Sequence, residues 1–265
     1  PEINNYVTNM GKDLSFEGTK EKPKINFFVV NDSSINAFAT LGGVIGIHSG
    51  LILAANNESE LASVLSHEIA HITQKHLLRL FESQKRNSYK SYLALAIAIL
   101  AARSNPQLAN SAIAISQATG VQDTLDYTRA NEREADRIGL EILHKSGYDP
   151  KGFVTFFQTI QKFNEFVSGA APSWLRTHPV TTERISDIQN RIDEFSYIQK
   201  INPLEFYLVK AKLQALFSNS ENVSSTFERK IAKKTYLNKT AELYGLTYSY
   251  LKEKKINKAR ISFNL

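Results

Sequence analysis

His67-Glu68-Ile69-Ala70-His71 is the stretch on which the reading of this chain turns. Histidines four residues apart on a helix share one face, so both imidazoles can reach a single metal ion. The glutamate beside the first histidine is then placed to hold and deprotonate a metal-activated water. So short a pattern carries weight only on a helix, and its flanks predict one. Asn57-Glu58-Ser59-Glu60 supplies an N-cap residue with a glutamate three positions on. Leu61, Val64, Leu65 and Ile69 mark an apolar face, and neither proline nor glycine interrupts the run before Gln84. A helix with two core or surface histidines flanking an acid is the plainer alternative.

Upstream of this helix, residues 24–30 predict a strand, started by Pro23 and ended by Asn31-Asp32-Ser33-Ser34. Residues 35–40 and 44–48, joined through Leu41-Gly42-Gly43, predict a hairpin. The expected result is a small sheet of about three strands, whose edge lies where an extended peptide can add by β-pairing. The residues before 21 look polar and irregular, with at most a short helix. Downstream, residues 92–102 are an unbroken apolar run of eleven, short of the roughly 20 that a membrane-spanning helix needs. With a second apolar patch at 108–115 they are expected to form a buried helical hairpin, with a lid or a membrane-dipping element as the alternative. Further helices are expected over about 126–145, ended by Gly147, after Asp149-Pro150 with Phe153, Phe156, Phe157 and Ile160 inward, and over about 181–195. Gly169-Ala170-Ala171-Pro172-Ser173 reads as a flexible loop.

The whole is α+β and mostly helical, a metal-hydrolase domain over 1–200 followed by a helical segment over 201–265. The 265 residues suffice for one full domain and a smaller one. There is no cysteine, which excludes a disulfide scaffold, a thiolate metal site and a cysteine nucleophile. No basic and apolar leader stands at Pro1, so any targeting signal is expected to lie outside this sequence. Net charge is +6, unevenly spread: residues 1–200 hold 20 basic and 21 acidic side chains, and residues 201–265 hold 12 and 5. Such a basic tail suggests a docking arm for an anionic membrane surface or an acidic protein, or else a solvated helical face. No nucleic-acid-binding motif accompanies it. Within the tail, Leu243, Leu246, Tyr250, Ala259 and Phe263 fit five positions of the tetratricopeptide pattern, with Thr247 where that pattern has glycine.

Zinc held by two histidines wants a third protein ligand and leaves a fourth position open. The other histidines are His48, His76, His144 and His178. Gln74 and Leu77 rule out the three-histidine spacing of metzincins, and His76 is expected to point away from the His67 and His71 face. A carboxylate on another helix is left. Glu132 is the best candidate, since Asp136 one turn on can receive the spare N–H of a ligand histidine. Glu134 should face elsewhere on that helix.

His67-Glu68-x-x-His71 followed about 60 residues later by Glu132-x-x-Ala135-Asp136 resembles the M48 family of zinc metallopeptidases. Asn36-Ala37-Phe38-Ala39, Gly42-Gly43-x-Ile45-x-Ile47 and Thr177-His178-Pro179 with Arg184 resemble its soluble BepA-type branch in particular. The resemblance covers about residues 24–200. It implies one zinc ion on His67, His71 and Glu132, Glu68 as general base, and Asp136 orienting a ligand. It also implies that His178 can take the fourth zinc position and hold the enzyme off. A loop upstream and Pro179 behind suit His178 to that role. Arg184, His178 and Asn36 are the further candidates for contact with substrate or transition state.

The implied activity is hydrolysis of misfolded or stalled envelope proteins, with outer-membrane assembly machinery among the partners, in the periplasm of a Gram-negative bacterium. A mitochondrial intermembrane or inner-membrane location is the alternative. Two rival functions stand beside it: a chaperone or assembly factor with a closed structural zinc site, and a membrane-surface adaptor working through the basic tail.

Overall fold

A computed structural model describes residues 1–19, 22–83, 85, 128–166, 171–217 and 222–265. The apolar segments at 92–102 and 108–115, and part of the 169–173 loop, lie outside the described residues. What is described is α+β and mostly helical, as expected. Strands β1 (Asn26–Val30), β2 (Ala37–Thr40) and β3 (Val44–His48) form one sheet in the order β1-β3-β2. β2 and β3 are the expected antiparallel hairpin, turned through Gly42 and Gly43 at φ 91° and 75°, a region that side-chain-bearing residues avoid. β1 pairs parallel to β3.

The N-terminal residues are more ordered than composition suggests. They form α1 (Glu2–Glu17), whose buried Tyr6, Val7, Met10 and Leu14 recur at helical spacing among polar residues. That stripe packs on β1 and on the central helix. After the short α2 (Ser49–Ala54) comes the central helix, α3 (Glu58–Thr73). Asn57 caps it by accepting from the Glu60 N–H at 2.9 Å, and Glu60 reaches back to the N–H of Asn56 at 2.8 Å. Every residue from Glu58 to Ala70 is buried, so α3 is enclosed by the other elements.

α3 stops at Gln74, and Lys75 takes a left-handed conformation at φ 56°. That turn starts α4, helical over 76–83, in a new direction. α5 is helical over 128–145, and α6 (Gly152–Phe166) buries Phe153, Phe156, Phe157 and Ile160 as expected. α7 (Ser173–Thr177), a short helix that starts where the expected loop ends, brings Trp174 into the core. α8 (Thr182–Ile192) is capped by Thr181, which accepts from the Arg184 N–H.

The last four helices are α9 (Leu204–Phe217), α10 (Val223–Lys233), α11 (Lys239–Lys252) and α12 (Ile256–Phe263). Composition shifts at 201, yet Phe206, Val209 and Leu213 of α9 are buried in the same core as α1 and α3. The other tail helices close a second, smaller cluster around Phe227, Leu246 and Tyr250. Part of the tail's positive charge is spent internally: Lys212 pairs with Glu2, Lys230 with Glu242 and Lys255 with Glu253. Of the tetratricopeptide-like positions, Leu246, Tyr250 and Ala259 are buried and Phe263 is exposed.

Candidate metal centre

α5 lies against α3 where Gly139 meets the backbone of His67: a Cβ there would stand 3.1 Å from His67 Cα and N. A side chain there would push the two helices apart by a few tenths of an ångström. The close approach sets Glu132 and Asp136, one turn apart on α5, beside the two histidines of α3.

Four side chains converge. His67 Nε2 lies 3.0 Å from His71 Nε2 and 3.2 Å from His178 Nδ1. The Glu132 carboxylate stands 3.4 Å from Nε2 of both His67 and His71, and 3.0 Å from His178 Nδ1. One ligand atom from each of the four falls within 4.8 Å of the others. Three ring nitrogens turned on one another beside a carboxylate need a proton or a metal cation among them. The donor set, imidazole nitrogen with one carboxylate, fits a divalent metal of the zinc type.

The charges agree with a site built for a cation. Burial works against the imidazolium of His67, but Asp136 and Glu132 outweigh it and hold its pKa up to about 9. Burial pushes His71 the other way, well below the ordinary histidine value, and neighbouring His67 adds to that. For Glu132, burial is overcome by His178 and His67, which hold its carboxyl well below the usual range. A metal bound at His67 Nε2 would have to replace any proton there.

Behind His67, Nδ1 lies 3.0 Å from Asp136 Oδ1. Arg184 grips Asp136 through Nε at 2.6 Å and a terminal nitrogen at 2.7 Å, and its other terminal nitrogen donates to the Pro179 carbonyl at 2.7 Å. That same nitrogen stands 3.1 Å from Glu132. Arg184 is 4% exposed. Its guanidinium thus pairs with both carboxylates of α5, Glu132 and Asp136.

Glu68, the next residue along α3, is 1% exposed and lies beside the cluster. Its Oε1 accepts from Trp174 Nε1 at 3.4 Å and lies 3.5 Å from His178 Nε2. Trp174 stacks on His178 with ring centres 4.9 Å apart and packs on Phe156 and Phe157. No pattern in the sequence marked Trp174 as part of this site; its only signal was being the single tryptophan of the chain, four residues before His178. Glu68, His71, Glu132 and His178 open onto a cleft of about 400 Å³ that Phe38 and Ala39 of β2, and Asn36 just before it, also line. His76, expected to point away, instead turns back onto His71, because the left-handed Lys75 redirects the chain.

Glu132→Gln is expected to weaken metal binding by more than tenfold, since a neutral amide replaces the one anionic donor. Competition with a chromophoric chelator measures this, and unchanged affinity would remove Glu132 from the ligand set.

An HExxH helix braced by a carboxylate helix and flanked by a short sheet edge is the arrangement of a metallopeptidase. Residues 1–192 match peptidase family M48, and the chain belongs to that family. A Vibrio cholerae protein is 36% identical over 261 residues, 98% of this chain and 54% of its own length. The beta-barrel assembly-enhancing protease of Escherichia coli K12 is 33% identical over 98% of this chain and 53% of its own length. The mitochondrial metalloendopeptidase OMA1 of Schizosaccharomyces pombe is 27% identical over 71% of this chain and 53% of its own length. The chain therefore spans about half the length of these curated relatives.

Proposed function

We propose that the chain is the catalytic part of a zinc-dependent endopeptidase acting on misfolded or stalled envelope proteins in the periplasm, β-barrel precursors among them. The observation that carries this is the convergence of His67, His71, Glu132 and His178 beside Glu68 at the mouth of a cleft. His67, His71 and Glu132 would hold the zinc. When bound, the metal supplies Lewis acidity to a water and to the scissile carbonyl. Glu68 takes the proton of the attacking water and delivers it to the leaving amine. Asp136, itself held by Arg184, keeps the His67 ring turned so that Nε2 faces the cluster. The β2 edge offers backbone groups to an extended substrate, and pairing there fits a preference for unfolded segments over compact ones. No helix among the described residues is long and apolar enough to cross a membrane.

His178 supports a resting state that is shut. Its Nδ1 sits among the other ligand atoms, where an imidazole would fill the position the catalytic water needs. His178→Ala is expected to raise casein cleavage several-fold with zinc retained. A fall in cleavage with zinc retained would make His178 a transition-state donor instead.

The four-ligand set also favours one second reading, a closed structural zinc in an assembly factor. Metal-dependent cleavage by the purified protein, abolished by 1,10-phenanthroline and restored by zinc, separates the two. Tight zinc binding without cleavage, in the wild type and in His178→Ala alike, would decide for the assembly factor.

A further inference from the structure

The second ligand histidine has a neighbour that the reading above leaves unused. His76 is 3% exposed, at the start of α4, and its Nδ1 lies 2.8 Å from Nδ1 of His71. Its Nε2 lies 3.1 Å from Glu134 Oε2, and Arg79 donates to that same oxygen at 2.9 Å. We propose that His76, held by Glu134 and Arg79, is a positioning residue that fixes the tautomer and ring orientation of His71 for metal binding.

Proton placement follows from the pairing rules of imidazole. Two ring nitrogens 2.8 Å apart share one proton between them. A carboxylate only accepts, so His76 carries its proton on Nε2 and donates to Glu134. In neutral His76, Nδ1 is then bare and accepts. The shared proton belongs to His71 Nδ1, which leaves His71 Nε2 with its lone pair aimed at Glu132 and His67. With His76 neutral, this arrangement satisfies the contact to Glu134 and the one between the two rings, and it leaves His71 Nε2 free for a metal.

The two ligand histidines of α3 are thereby braced in parallel. His67 is backed by Asp136 and Arg184, and His71 by His76, Glu134 and Arg79. Each chain ends in a carboxylate held by an arginine. The His71 brace needs the left-handed Lys75, which lets a residue five positions beyond His71 return to it. The same turn starts α4, whose Leu77 and Leu80 line the cleft, so the brace also ties the cleft wall to the metal ligand.

The inference rests on the metal-site reading above, and its test can fail separately. Zinc affinity is measured by chelator competition on the whole chain for wild type, His76→Phe, His76→Asn and Glu134→Ala. Phe fills the ring volume without an acceptor, whereas Asn places an oxygen near the position of Nδ1. His76→Phe is expected to lose about 10–100-fold in zinc affinity, and His76→Asn to recover most of it. Glu134→Ala, at a half-buried position, is expected to lose about tenfold. Nitrogen-15 spectra should place the proton on His71 Nδ1 in the wild type and show a tautomer mixture in His76→Phe. If His76→Phe does not fold, the Glu134→Ala affinity and spectrum decide. Wild-type affinity in the folded variants, or a proton on His71 Nε2 in the wild type, overturns the inference while leaving the site intact. A wild type that takes up no zinc overturns the site itself, and the inference with it.

Discussion

Glu68→Gln is expected to lower proteolysis by about 10²–10⁴-fold, the range that loss of a general base produces, while zinc stays bound. Glutamine matches glutamate in shape, and its carbonyl oxygen still accepts from Trp174 Nε1, as Glu68 Oε1 does at 3.4 Å. Glu68 also stands outside the four converging ligand atoms, so its charge is not needed to hold a metal. What the amide lacks is a basic site able to receive a proton. Zinc content and casein cleavage measured on one preparation test both halves. Cleavage at the wild-type rate would show that another group moves the proton, and loss of zinc would make Glu68 a ligand.

Removing residues 201–265 is expected to unfold the catalytic part rather than release it. Composition alone suggests a detachable basic arm, but α9 sends Phe206, Val209 and Leu213 into the main core. Losing buried side chains of this size costs about 2–5 kcal/mol each, against a whole-domain stability of about 5–15 kcal/mol. Polar ties go with them: the Glu58 N–H at the start of α3 loses the Asn202 side chain at 2.8 Å, and Glu2 on α1 loses Lys212 and Tyr244. A chain of residues 1–200 should show no cooperative thermal transition and bind no zinc. A cooperative melt together with zinc uptake would prove the tail dispensable.

The elements legible in the sequence were those that carry their own local signals. α3 had its cap and its apolar face, the β2–β3 hairpin had its two glycines, and α6 had its phenylalanines at helical spacing. α1 was under-read because its apolar stripe is thin and asparagine-rich, so that packing on β1 and α3, rather than propensity, makes it a helix. At the site, the histidine pair and the carboxylates of α5 announced themselves by spacing. Trp174 and His76 did not, since each arrives through a tertiary event: a short helix folding inward, and one left-handed lysine reversing the chain. The partners of Arg184 are not readable in the sequence, because only the fold shows which carboxylates surround it.

The lone tryptophan gives this molecule an optical gauge of its own state. Trp174 stacks on His178, donates to Glu68 and lies edge-on to His67, so its indole touches all three side chains at once. With no second indole in the chain to dilute the signal, emission reads the site alone. Departure of His178 would strip one face of the ring, and its return would cover it again. The proposed exchange of His178 would therefore be timed by stopped-flow fluorescence on the unlabelled protein, before any peptide bond is cut.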